Sequence, residues 1–371
     1  MLEAELAGAD KMSKHEAHPN RWIYDMDAHI IDTDDDIRPF LDERYRQRNG
    51  SLLALDEWHR GLIRRPRAPQ DLTERLRVLD EEGVVCSVLF PSRAMDVNTM
   101  RDKAFVAAYC QAYNSFIADV CRKAPALKGM AVLSFDNVSA AVEELTRSVT
   151  KLGLVGVVMS SYGLQEHIGA VKYWPIYEEM QRLNVHLGIH NSIQGGPIGD
   201  LRAETFMYQH TVGRPAATMT DCAALVYGGV VEKFPRLRVS FLEARAAWVP
   251  YWMEYMDRKW EKRRSDAPLL KRKPSECMTG GNFFYSAEPD EKALPYVLER
   301  IGEDVIIFAS DYPHGGSAFT GDLLRRSDVS ERAKNKILRE NGIRLLGKEI
   351  HTLQSESDLR SASYGDTHGS Y

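Results

Sequence analysis

Short apolar runs alternate along the chain with longer segments whose apolar residues recur every three to four positions. The runs are WIYDMDAHII (22–31), VVCSVLF (84–90), GMAVLSF (129–135), LVGVVMS (154–160), VHLGIH (185–190), LRVSFLE (237–243), NFFYSA (282–287) and VIIFAS (305–310). A short, near-continuous run of Val, Ile, Leu and Phe predicts a strand buried on both faces, as in a parallel sheet. The segments between them, such as QDLTERLRVLDEEG, MRDKAFVAAYCQAYNSFIADVCRK, NVSAAVEELTRSVTKLG, PIYEEMQRLN and EPDEKALPYVLERIG, predict helices. Asn137 and Glu288-Pro289 supply helix starts, and Gly83, Gly153 and Gly302 follow the last turns as stops.

Eight strands, each followed by a helical segment, predict an α/β fold, and specifically a closed (β/α)8 TIM barrel. An open doubly wound sheet of this size would carry a Gly-rich phosphate loop after its first strand. Here the first strand runs instead into an inserted loop over residues 32–70, containing Trp58, His59 and several arginines, which reads as a lid or substrate wall over the barrel mouth. Polar, aperiodic sequence at 1–20 and 351–371 predicts flexible ends around one barrel domain at 21–350.

Composition narrows the partners. The 371 residues are 44% hydrophobic, enough for a large core, and 53 acidic against 48 basic side chains leave a formal charge of -5. With no long Lys/Arg run, a nucleic-acid partner is not expected. Five cysteines, an odd number without a C-x-x-C pair, read as reduced thiols of a cytoplasmic protein. No stretch resembles a secretion signal or approaches about 18 uninterrupted apolar residues, so neither export nor membrane insertion is expected.

In a barrel, reactive groups sit at the C-terminal ends of the strands. Asp27 and His29, two apart and so on one face of the first strand, His190 after the fifth, Glu243 after the sixth and Asp311 after the eighth all occupy such ends. A lone strand-end His is often a core residue and an Asp there often a helix cap. Four residues from three strands, Asp27, His29, His190 and Asp311, weigh against that reading, and two imidazoles with two carboxylates suit Zn²⁺, Mn²⁺ or Fe²⁺ with room for water or substrate.

The ordered set of DAH, Tyr113-Asn114, LKGMAVLSF, LGLVGVVMSSYG, GIHNS, GGVVEKFPRLRVSFLEA, FASDYPHG and ENGIRLLG resembles the amidohydrolase-related family of metal-dependent TIM barrels, over about residues 23–347. That family includes aminocarboxymuconate semialdehyde, resorcylate and carboxyvanillate decarboxylases alongside metal-dependent hydrolases. The resemblance implies that His29, His190 and Asp311 are metal ligands and that Asp311 also acts as base beside the metal-bound water. The family's first strand usually reads Glu-x-His or His-x-His, so the shorter Asp27 either ligates an ion lying closer to the strand or supports the ligands from behind. The fourth strand has no lysine to bridge two ions, which implies one ion, with Zn²⁺ first and Mn²⁺ or Fe²⁺ next.

Where the decarboxylases carry a histidine on the sixth strand, this chain has Glu243, as in another branch of the family with the pattern E-x-G-x-x-W, and Arg245 replaces the expected small residue. Arg245 can fork onto a substrate carboxylate or phosphate, or instead pair with Glu243 or face solvent. His210 is a candidate proton donor or substrate contact, with an ordinary loop histidine the alternative; His314 is a candidate for orienting the site and contacting substrate, and Arg93 for an anion contact. Trp248, Trp252, Tyr255 and Trp260 form a stripe suited to a core or a subunit interface. The expected function is a metal-dependent decarboxylase or related carbon–carbon lyase acting on a small anionic aromatic or unsaturated acid, in a homodimer. The alternatives are a hydrolase of an amide, ester or lactone using a metal-activated water, with Glu243 as an extra acid or base, and an inactive barrel serving as a binding subunit.

Overall fold

The computed structural model describes residues 22–53, 71–191, 204–315 and 320–348. Eight parallel strands follow one another round the barrel in sequence order: β1 (Ile23–Ile30), β2 (Val84–Pro91), β3 (Leu127–Ala131), β4 (Gly156–Met159), β5 (His186–Ile189), β6 (Val239–Phe241), β7 (Phe283–Ala287) and β8 (Ile306–Phe308). Seven ladders join neighbours from β1 to β8. The ring closes beyond the last ladder, where Ala28 bridges Tyr312, Asp311 N donates to Asp27 O at 2.8 Å and His29 N donates to Tyr312 O at 2.7 Å. Helices between the strands complete the (β/α)8 barrel that the alternation predicts.

The punctuation residues behave as their chemistry requires. Asn137 caps the helix Val138–Thr150 by accepting from Ala140 N, and Gly83, Gly153 and Gly302 take φ of 69°, 76° and 85°, a region costly for any residue with a Cβ. One start differs. The helix expected from Glu288-Pro289 begins only at Leu294, with Pro295 in its first turn, where the missing N–H costs nothing. The preceding residues have another task, because the Glu291 carboxylate accepts from Ala246 N and Ala247 N and so holds the turn after β6.

The loop after β1 is fastened to the loop after β2 by Asp32, whose buried carboxylate accepts from Ser92 N, Arg93 N and Ala94 N at 3.0, 2.8 and 3.0 Å. Trp58, His59 and the lid reading of the insertion lie largely outside the described residues, as do the ends expected to be flexible. Within the barrel, Gly188 leaves room for Phe90: a Cβ there would meet Phe90 Cε1 at 2.7 Å. The Phe90 ring in turn packs beneath both strand-end histidines, 6.3 Å from His29 and 5.5 Å from His190 between centroids. Among the described residues no helix is long and apolar enough to cross a membrane.

Candidate active site

The strand ends bring the predicted acids and imidazoles to one point. Alternation along β1 turns Asp27 and His29 inward together, and His190 and Asp311 follow the ends of β5 and β8. His29 Nε2 lies 3.1 Å from His190 Nε2, and Asp27 Oδ1 lies 3.7 Å from each of those nitrogens. Asp311 Oδ1 is 3.5 Å from His29 Nε2, and Glu243 Oε2 is 3.4 Å from His190 Nε2. Two overlapping ligand groups result, Asp27–His29–His190 and His29–Glu243–Asp311, each with its donor atoms within 4.8 Å of one another.

The protonation states favour a cation. His29 donates Nδ1–H to Pro91 O at 3.3 Å, which leaves its Nε2 lone pair facing His190. Burial and the neighbouring His190 hold His29 well below its usual range, and burial brings His190 down to about 4, so both rings are neutral and able to ligate. Both Asp27 oxygens and Asp311 Oδ1 are buried without a hydrogen-bond partner. Burial followed by the charge of Glu243 pushes the Asp27 and Asp311 carboxyls well up, the behaviour of acids crowded round too little positive charge. Orphaned oxygens and neutral imidazole nitrogens in one buried cluster form the donor set of a mixed N/O divalent-metal site, so the residues fit such an ion.

One cation stands beside this cluster, and sequence reasoning missed it. Arg214, on the helix Phe206–Tyr227, forms a close ion pair with Glu243 and is itself largely buried. Burial alone would raise the Glu243 carboxyl, but the charge of Arg214, the largest opposing influence, keeps it ionised. The signal was present in the spacing: Arg214 is four residues after His210, one helical turn, so a helix presenting one to the mouth presents the other. Glu243 and Asp311 hold their side chains from left-handed backbone, φ 52° and 53°, a conformation that non-glycine residues adopt where surrounding structure enforces it, often at functional sites.

The remaining candidates lie round this centre. His210 is half-buried and held below its usual range by burial and Arg214. The His314 ring lies 4.9 Å from that of His29, and its Nε2 shares a 2.9 Å hydrogen bond with Ser92 Oγ. Arg93 donates to Asp34 Oδ1 at 2.9 Å, ordering the loop after β1. Arg245 pairs with neither Glu243 nor solvent alone: it bridges to Glu288 and to Asp290, the latter at 3.1 Å, on the outer rim. His186 is buried at the start of β5, away from the mouth. Of the aromatic stripe, Trp260 is buried, Trp248 packs on Phe241 and Tyr285, and Tyr255 stacks on Trp252 while staying partly exposed.

The amidohydrolase family model matches residues 24–348. The chain belongs to the amidohydrolase family. This amidohydrolase is 25% identical over 240 residues to a 2-amino-3-carboxymuconate-6-semialdehyde decarboxylase of Dictyostelium discoideum, covering 64% of the chain and 66%, just under two thirds, of that protein. It is 26% identical over 283 residues to a gamma-resorcylate decarboxylase of Polaromonas, covering 71% of the chain and 83% of the relative. Among solved structures, a 2,6-dihydroxybenzoate decarboxylase in complex with 2,6-dihydroxybenzoate superposes with a TM-score of 0.68 at 22% identity, over 88% of this chain and 100% of that one. A dihydroxybenzoic acid decarboxylase from Polaromonas with bound manganese and the inhibitor 2-nitroresorcinol superposes with a TM-score of 0.68 at 21% identity, over 88% and 97% of the two chains. At these identities the solved structures establish the shared barrel, and the decarboxylase relatives indicate an enzyme.

Proposed function

We propose that this amidohydrolase is a metal-dependent decarboxylase of a small aromatic or unsaturated carboxylic acid. The observation that carries the reading is the buried cluster of Asp27, His29, His190, Glu243 and Asp311, whose orphaned oxygens and neutral imidazoles face one another. These residues would hold one divalent ion, Zn²⁺ or equally the Mn²⁺ bound by the Polaromonas relative, and when bound it supplies Lewis-acid polarisation of a substrate oxygen.

The protein's own groups account for the rest. Arg214 is the cation beside the cluster, and its fork can take a substrate carboxylate while remaining close to Glu243. Asp311 is the acid–base group of this scheme, passing a proton to the ring or alkene carbon bearing the carboxylate. As that C–H bond forms, the C–C bond to the carboxylate breaks, its electron pair returns to the carbon skeleton and CO₂ leaves; Asp311 is then reprotonated from solvent. Arg245, through its place on the rim, is an outer contact for a second anionic group; Arg93 and His314 border the same opening, and His210 flanks Arg214 as a substrate contact. A homodimer, with the partly exposed Tyr251 and Tyr255 in its interface, completes the proposal, and sedimentation of the purified protein tests that part.

A second reading has its own support. Glu243 stays ionised, so it suits a base acting on water better than an acid, as hydrolysis of an ester, amide or lactone would use. A metal-replete screen of hydroxybenzoates and unsaturated acids, scored together for CO₂ release and for ester or anilide hydrolysis, decides between the two. CO₂ release supports the decarboxylase; hydrolysis without CO₂ overturns it.

A further inference from the structure

The closing seam of the barrel is its weakest joint, and it falls between the two strands that carry most of the candidate ligands. Every other neighbouring pair shares a ladder, whereas β1 and β8 meet only at the isolated Ala28–Tyr312 bridge and the two backbone hydrogen bonds beside it. A side chain takes the place of the missing rungs. Asp25, fully buried on β1, accepts from Ser310 N at 3.0 Å and from Ser310 Oγ at 2.7 Å on the chain leaving β8. It also accepts from Asp27 N at 3.3 Å on its own strand and from Ser87 Oγ at 3.2 Å on β2. Ser310 Oγ in turn accepts from Tyr312 N at 3.0 Å, so the residues on both sides of Asp311, itself in left-handed backbone, are tied through one carboxylate.

We propose that Asp25 is a positioning residue for the metal centre: its carboxylate sets β1 against β8 and thereby the separation of Asp27 and His29 from Asp311. This rests on the metal-centre reading above. Asp25 reaches Asp27 through its backbone N–H; it acts by fixing where the ligands stand, and groups that orient ligands in this way typically control ion affinity.

The test is Mn²⁺ binding to the chelator-stripped full chain, read from the loss of the free-ion electron paramagnetic resonance signal, with thermal unfolding measured in parallel. Asp25→Ala is expected to weaken Mn²⁺ binding by about tenfold or more, and Asp25→Asn, whose amide oxygen can still accept from Ser310 N, to stay within about threefold of the unaltered protein. Asn341→Ala is the control for general loosening, because Asn341 anchors the other end of β8 through Ile306 O at 2.6 Å and is remote from the ligand cluster. Wild-type affinity in Asp25→Ala overturns the proposal. So does an equal loss in Asn341→Ala, or an Asp25→Asn variant no better than Asp25→Ala. If Asp25→Ala does not fold, Ser310→Ala removes the hydroxyl that donates to Asp25 and accepts from Tyr312 N; a several-fold loss of affinity supports the proposal and an unchanged affinity overturns it. Failure of the unaltered protein to bind Mn²⁺ is a separate result, which removes the metal centre itself.

Discussion

His29 and His190 direct their Nε2 atoms at each other across the barrel at 3.1 Å, with Asp27 Oδ1 3.7 Å from both. Because His29 spends its Nδ1 proton on Pro91 O, its facing nitrogen carries a lone pair, and burial keeps both rings neutral. The His29 lone pair, the neutral His190 ring and an orphaned Asp27 carboxylate at this spacing are stabilised by a cation between them.

The first prediction follows from that geometry. The purified protein should carry about one Zn, Mn or Fe per chain, and His190→Ala should lose the ion and the activity together. Elemental analysis beside CO₂ release checks both. Full metal occupancy in His190→Ala would remove that residue from the ligand set, and chelator-insensitive activity would remove the ion from the chemistry.

Arg214 yields the second. If its guanidinium receives the substrate carboxylate, Arg214→Ala should lose a charge-assisted contact of roughly 1.5–3 kcal/mol, raising KM by roughly ten- to a hundredfold. The decarboxylated product analogue, which lacks that group, should bind the variant as it binds the parent. Metal content is measured alongside, since Arg214 also neutralises Glu243. Equal weakening for acid and neutral analogue at full metal content would show that Arg214 shapes the pocket without clamping the carboxylate.

Much of this architecture is legible in the sequence because its causes are local. Eight apolar runs register as strands since each must be buried on both faces, and Asp27, His29, His190, Glu243 and Asp311 stand out because strand ends in a barrel converge. Arg214 escapes notice because it lies mid-helix, where an arginine is usually solvated, and only the tertiary approach of that helix to the end of β6 gives it Glu243. Asp25 is hidden for the same reason: its importance comes from Ser310, 285 residues away. The late start of the helix at Leu294 likewise depends on Glu291 being drawn to the turn after β6, a contact no local propensity contains.

The third prediction concerns pH. Asp221 is buried, and that burial pushes its carboxyl up to about 7 despite hydrogen bonds from Asn191 and Ser161. The raised value means that the folded state holds a proton which the unfolded chain releases near pH ~4. The associated stability is therefore full below about pH 4 and is lost as pH rises towards 7, by something on the order of 1–4 kcal/mol. Asp221→Asn should flatten that decline, so urea denaturation should show its largest gain over wild type at pH 8 and little or none at pH 4. His186, lowered by burial to about 3, works in the opposite sense, costing stability as pH falls below its unfolded value, and is common to both proteins. A variant with the same pH slope as wild type would sink the assignment to Asp221.

Arg245 sets a structural cost against a rim contact. Its φ of 57° places an L-residue in left-handed backbone, at a cost of about 1–2 kcal/mol that glycine avoids. Its ion pairs to Glu288 and Asp290 join half-exposed groups, with Arg245 43% and Asp290 69% accessible, and pairs of that kind return about 0–1 kcal/mol. The balance predicts that Arg245→Gly is more stable than the parent by up to about 1 kcal/mol, visible as a higher midpoint of thermal unfolding. If Arg245 also meets a second anionic group, the same variant should raise KM for diacids while leaving monoacids within about twofold. A stabilised variant with unchanged KM for both would confine Arg245 to the rim pairing; a destabilised one would show that its contacts with Glu288 and Asp290 outweigh the backbone strain.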